Sequence, residues 1–292
     1  MKKNRVCRVI ALLVLFGAFG AAGAAADEMT VAPAAFITAP TGPFQWTGFY
    51  IGGNGGYGWS SSSVTYSPND AASQAGTCGG VGRGQCIPPG GFQTGGPLAG
   101  GQVGYNWQFN PLGVAGIEAD YQWANLTGQG LSPFQLGNVG AASANSTMIA
   151  NQTINSFGTV RARAGWVVVN PLLVYFTAGL AFGHVGETLT LQPAGSGRLP
   201  SGGFSYVCVA GAPCFAGSSS QTMFGWTVSG GTDYALTSNL ILRAEVLFFD
   251  LGVPRATAIA QNVVAGTSPS ALTATFGPAG FIIARGGLSY KF

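Results

Sequence analysis

Charge is the scarcest property of this 292-residue chain: Asp, Glu, Lys and Arg together make up 7% of it. Histidine occurs once, at His184, so no multi-histidine metal centre and no Ser–His–Asp grouping can be assembled. Outside the first thirty residues no long apolar run occurs, which argues against helical membrane spans. The five cysteines lack CxxC spacing, which speaks against a zinc site. Glycine, by contrast, reaches 48 residues, and aromatics make up 12%. Disordered glycine-rich chains are poor in aromatics; here Trp, Tyr and Phe recur at regular places.

The chain opens with Lys2, Lys3, Arg5 and Arg8, an apolar core over Val9–Phe16, and small residues ending in Ala24-Ala25-Ala26. That layout predicts a secretory signal peptide over residues 1–26, since the apolar core is too short to anchor in a bilayer. Cleavage turns a formal charge of +3 into eight basic against nine acidic residues, or −1. The apparent basicity belongs to targeting, and no nucleic-acid partner is expected. Residues 27–45, rich in Ala, Pro and Thr, read as a flexible periplasmic lead-in.

From residue 46 onward the pattern has period two. The closing stretch sets Ile282, Ala284, Gly286, Leu288, Tyr290 and Phe292 against Ile283, Arg285, Ser289 and Lys291. Alternate side chains of a strand face opposite ways, so one face is apolar and aromatic and the other polar and cationic. Seven earlier stretches behave alike, beginning near residues 46, 98, 114, 159, 172, 224 and 240. In the first, Gly53 to Gly58 also matches a dinucleotide-binding fingerprint, but the strand period runs through it into Ser60, where a helix would have to open. Tight turns at Asn110-Pro111, Asn170-Pro171 and Thr237–Asn239 alternate with long polar segments at 60–96, 126–155, 187–220 and 251–276. Short turns on one side, long loops on the other and an even strand count predict an all-β transmembrane antiparallel barrel of eight strands over 46–292. A soluble sandwich or lipocalin-like barrel shares the period, but would crowd the aromatics into a narrow interior.

Trp46-Thr-Gly-Phe-Tyr-Ile-Gly-Gly-Asn54, Arg161-Ala-Arg-Ala-Gly-Trp166, Ala244-Glu-Val-Leu-Phe-Phe-Asp-Leu-Gly252 and Arg285-Gly-Gly-Leu-Ser-Tyr-Lys-Phe292 resemble the porin-like outer-membrane immunogenic protein family of Gram-negative bacteria. The resemblance covers the strands and implies an OmpA-like barrel exposed as a surface antigen in the outer membrane. It also implies that the barrel-insertion machinery reads the aromatic end, Tyr290 and Phe292. Members are variously described as porins, envelope-integrity proteins or haem binders. The matching motifs are scaffold motifs and transfer no ligand site.

Among candidate residues, Glu118, Asp120, Arg161, Arg163, Arg243, Glu245 and Arg285 fall on the polar face, mid-strand. Two carboxylates two apart could serve hydrolysis, but four arginines on the same face make a lumenal ion-pair network the expectation. Cys7 leaves with the signal. Cys78, Cys86, Cys208 and Cys214 allow three pairings, and local bridges 78–86 and 208–214 suit two outer loops in an oxidising compartment. His184 sits on the lipid-facing parity, as an interfacial residue or, alternatively, a haem ligand. The expected protein is not an enzyme, needs no cofactor or metal, and meets outer-membrane lipids. Its function is structural and loop-displaying, the alternatives being a small diffusion channel or ligand binding by the loops.

Overall fold

The structure, a computed structural model, describes residues 42–77, 87–135, 145–193, 197–201, 204–209 and 211–292. The expected signal peptide, most of the lead-in, Cys78 and Cys86 lie outside these residues. Successive antiparallel ladders join β1 (Gly48–Pro68), β2 (Gly90–Gln108), β3 (Gly113–Gln135), β4 (Asn145–Val169) and β5 (Leu172–Pro193). A short helix α1 (Ala71–Thr77) follows β1, and a hairpin of β6 (Gly197–Ser201) and β7 (Phe204–Cys208) follows β5. The ring continues through β8 (Phe215–Ala235), β9 (Leu240–Asp250), β10 (Arg255–Ala260), β11 (Ala271–Phe276) and β12 (Gly280–Lys291).

Ten ladder segments therefore make eight staves, because β9 with β10, and β11 with β12, are single strands interrupted once. Pro254 and Pro278 cause the interruptions, since proline cannot donate to a ladder. The backbone repairs itself locally: Phe276 N donates to the Pro254 carbonyl and Ala279 N to that of Gly252, which sits at φ +87°. Closure comes from β12 pairing with β1, from Tyr50 opposite Lys291 to Trp59 opposite Ile282. Every backbone group inside lipid can then be paired within the ring.

The periplasmic turns are built by side chains that replace backbone partners. Asn110 Oδ1 accepts from Leu112 N and Gly113 N, and Thr237 Oγ1 accepts from Asn239 N and Leu240 N. Such turns reverse the chain in few residues and fix the register of the strands they join.

The strands are longer than the sequence pattern predicts. β1 has 21 residues, β3 23, β4 25 and β5 22, whereas a tilted crossing needs about 9–11. The expected loops at 60–96, 126–155, 187–220 and 251–276 are in large part strand. The alternation of faces continues there, but the outward positions turn from aromatic to mainly Ser, Thr, Asn and Gln, with Leu131 and Ile259 as apolar exceptions, so the aromatic signature stops while the strand does not. The barrel thus stands well above the membrane.

Inside, apolar and polar layers alternate. Phe44, Trp46, Val114, Val167, Leu173 and Ile241 close the periplasmic mouth. The end of the lead-in is therefore part of the fold: Trp46 is 0% exposed, and Phe44 N donates to Asn170 Oδ1. Above a charged layer comes a second apolar layer with Leu126, Ile154, Phe157, Val185, Phe249 and Phe281, its phenylalanines stacked at 4.7 and 5.4 Å. The outermost layer includes Phe92, Met148, Leu191, Phe215 and Phe276. Between these two upper layers Glu187, Gln152 and Thr94 are buried, and neither Glu187 oxygen has a hydrogen-bond partner.

Candidate functional site

Parity along each strand decides which charged side chains enter the lumen. On β3, Glu118 and Asp120 alternate with the exposed Ile117 and Tyr121 and the half-buried Ala119; on β4, Arg161 and Arg163 alternate with Val160 and Trp166 outside. Arg243 and Glu245 on β9, and Arg285 on β12, enter from the other side. Small residues clear the space. A Cβ on Gly104 would overlap the Tyr50 ring, and one on Gly231 the Tyr175 ring.

The charges form one connected network, with side chains 0–3% exposed. Arg161 binds Glu118 and, at 2.8 Å, Asp120 on the adjacent strand, and reaches Glu245 at 2.6 Å on β9. Arg163 meets Glu118 at 3.3 Å and also Asp233. Arg243 holds Asp233 at 2.9 Å and crosses the barrel to Glu118. Arg285 joins Asp120 at 2.9 Å to Glu245 at 2.6 Å. Hydroxyls add further hydrogen bonds: Tyr50 donates to Glu118 at 2.6 Å, Ser229 to Glu245 at 2.5 Å and Thr159 to Asp120 at 2.9 Å. The Tyr175 ring lies 3.7 Å from the Arg163 guanidinium carbon, a cation–π contact.

The lumenal ion-pair network expected from the sequence is one connected layer, and the geometry adds Asp233, Tyr50 and Tyr175 to it. Parity on the sixth stave already pointed Asp233 inward. Tyr50 was hidden among lipid-facing aromatics, although its even position separates it from Phe49 and Ile51. With Asp233 the layer holds four guanidinium groups and four carboxylates and is formally neutral. Every carboxylate is engaged by at least two arginines, so none is left free as a general base. Buried charges of this kind are tolerable only when paired and hydrogen-bonded throughout.

The other candidates lie apart from this layer. Cys208 and Cys214 are joined by a disulfide beneath the β6–β7 hairpin, in the outermost apolar layer. His184 is exposed on the outer face, its Nε2 2.9 Å from Ser220 Oγ. Tyr290 and Phe292 meet edge to face at 5.3 Å, and Phe292 N donates to the Phe49 carbonyl across the closing seam. Among the described residues no group of three His, Cys, Asp or Glu side chains could hold a metal ion.

Comparison with known proteins agrees with this architecture. The family described as "Outer membrane protein beta-barrel domain" matches residues 11–276. The chain is 29% identical over 228 residues to the "31 kDa outer-membrane immunogenic protein" of Brucella melitensis, covering 78% of this chain and 80% of that one. The Brucella suis protein of the same description matches equally. Among solved structures, OprG of Pseudomonas aeruginosa aligns over 85% of this chain and 98% of its own, with 15% identity and a TM-score of 0.43. A closed antiparallel ring with an aromatic outer face, an ion-paired interior and this family match define the chain as a bacterial outer-membrane protein belonging to the outer-membrane β-barrel domain family.

Proposed function

We propose that this barrel is a structural and surface-display protein of the outer membrane, with a lumen closed to diffusion. The observation that carries the reading is the charged layer between two apolar layers, in which nine ion pairs join the staves, four of them between staves that are not neighbours. A narrow eight-stave interior is filled by side chains, and here they are also locked to one another. The rigid lower barrel then serves as a base for the tall outer part, whose tips carry α1, the disulfide and the β6–β7 hairpin. Display at the cell surface is also what the relatives' description as immunogenic suggests for this chain.

Planar-bilayer recording with the purified full-length barrel tests the reading. The expected record has no reproducible conductance steps. Steady single-channel steps from the parent protein would replace it with the diffusion-channel reading.

A further inference from the structure

Trp59, Trp123, Phe182 and Phe224 mark the upper edge of the lipid-facing surface, Phe224 being 77% exposed. Immediately above them the outward positions become Ser61, Ser63, Thr127, Gln129, Thr188 and Ser220. From this girdle to the tips of the barrel strands, Asp250 and Arg255 are the outward Lys, Arg, Asp or Glu among the residues whose burial is described. A surface meant for bulk water carries about 25–35% charged residues. This belt is instead covered mainly by neutral hydroxyls and amides, with Leu131, Ile259 and His184 among them, and these are partly ordered into ladders: Gln129 donates to Asn151 and Asn151 to Thr188, both at 3.0 Å, and Thr257 meets Thr273 at 3.2 Å.

At the boundary between girdle and belt, the outer face of β1–β3 carries a groove of about 480 Å³. Tyr57 and Trp59 form its aromatic side; Ser61, Gln93 and Thr127 supply hydroxyls and an amide. Gly95 leaves its floor bare: a Cβ there would lie 3.2 Å from Tyr57 Oη. The volume lies in the range of ligand sites, roughly 300–1,000 Å³. An aromatic wall offers a flat apolar face, and neutral donors and acceptors beside it suit a polyhydroxylated ring.

We propose that this groove and the belt around it bind the saccharide head groups of glycolipids in the outer leaflet. The occupant follows from continuity. The acyl chains of such a lipid lie against the girdle, which delivers its sugars to this height and keeps their local concentration high. A neutral hydrogen-bonding surface accepts sugar hydroxyls and needs no counter-charge.

The full-length barrel, reconstituted in three bilayers, tests the assignment: phosphatidylcholine alone, with lipid A, or with rough lipopolysaccharide carrying core sugars. The readout is the temperature at which the compact gel band is lost. Rough lipopolysaccharide is expected to raise it by about 5–10 °C over lipid A, the scale of one ligand near hundredfold saturation in a chain of this size. Gln93→Ala combined with Thr127→Val should lose at least half of that increment while matching the parent in phosphatidylcholine. If the double variant fails to fold, Trp59→Leu is read for the same loss. Equal shifts with lipid A overturn the proposal in favour of acyl or phosphate contacts. Equal midpoints in all three bilayers overturn it and leave the belt facing water or a protein. An undiminished shift in a folded variant shows that sugars bind elsewhere.

Discussion

Arg243 on β9 and Glu118 on β3, 125 positions apart in the chain, meet in the middle of the barrel as an ion pair. With eight staves, β3 and the β9 stave stand opposite each other, so this contact spans the lumen along a diameter. Glu118 also receives Arg161, Arg163 and the Tyr50 hydroxyl. It is the acid on which the closed state depends most.

Removing it takes a partner from three arginines at once and leaves the enclosed layer with one uncompensated positive charge. Breaking a buried pair by deleting one partner costs about 3–5 kcal/mol, against about 0–1 kcal/mol for an exposed one. The Glu118→Ala barrel is expected to fold, to lose stability on that scale in urea unfolding, and to leak ions above the parent level. Arg163→Ala should act in the same direction. Parent-like midpoints and conductance in both variants would sink the plugged-lumen reading.

The terminal residue makes a different kind of contact. Phe292 is 71% exposed to the lipid side, yet its N–H donates to Phe49 at the seam where the last strand meets the first. Deleting Phe292 should lower the folded yield in cells, measured as the fraction of compact band in outer-membrane extracts. Unchanged insertion would show that the aromatic end is not what the assembly machinery reads.

At the periplasmic mouth, Trp46 and Phe44 close the lumen from below. Truncating a buried aromatic to alanine costs about 3–5 kcal/mol. Trp46→Ala should show that loss in urea unfolding, whereas removing residues 27–41 should leave the midpoint near the parent value. A midpoint insensitive to Trp46→Ala would mean that the plug adds nothing to the barrel.

Glu187 sits on β5 above Phe182, in the part of the strand beyond the lipid. Burial pushes its carboxyl up from 4.5 to about 7. The folded barrel therefore keeps a proton that the unfolded chain gives up at lower pH. Its contribution to stability falls as pH rises from about 4.5 to about 7 and is level above that window. Glu187→Gln should remove that slope, measured as the unfolding midpoint at several pH values. The same slope in parent and variant would assign the effect to another group.

The lower barrel was readable because lipid, a narrow lumen and a period of two all mark it together. At Trp59 the outward face is aromatic and at Ser61 it is not, so a rule that looks for an apolar stripe ends the strand there. The ladder from Ser60 opposite Thr94 to Val64 opposite Gly90 runs on regardless. Pro254 and Pro278 made the last two staves look like one long loop, since each break falls at the height where the stripe fades. The charged residues were legible as a set because they share one strand parity with the glutamines and hydroxyl residues of the polar face, opposite the aromatic one. Their partners across the lumen were not, because parity gives the side of the sheet while pairing depends on barrel closure. Glu187 was hidden for the same reason as the strand around it.

The neutrality of the charged layer has a consequence for how the chain is assembled. Glu118, Asp120, Arg161 and Arg163 all belong to the single hairpin β3–β4, with Glu118 directly opposite Arg161 in its ladder. Asp233, Arg243, Glu245 and Arg285 belong to the last three staves, where Arg243 lies opposite Asp233 and Arg285 opposite Glu245. Each half of the charged layer is thus electrically balanced before it ever meets the other. A nascent barrel can zip strand by strand into the bilayer without carrying an excess of either sign, and the bonds along the diameter form only when the ring shuts.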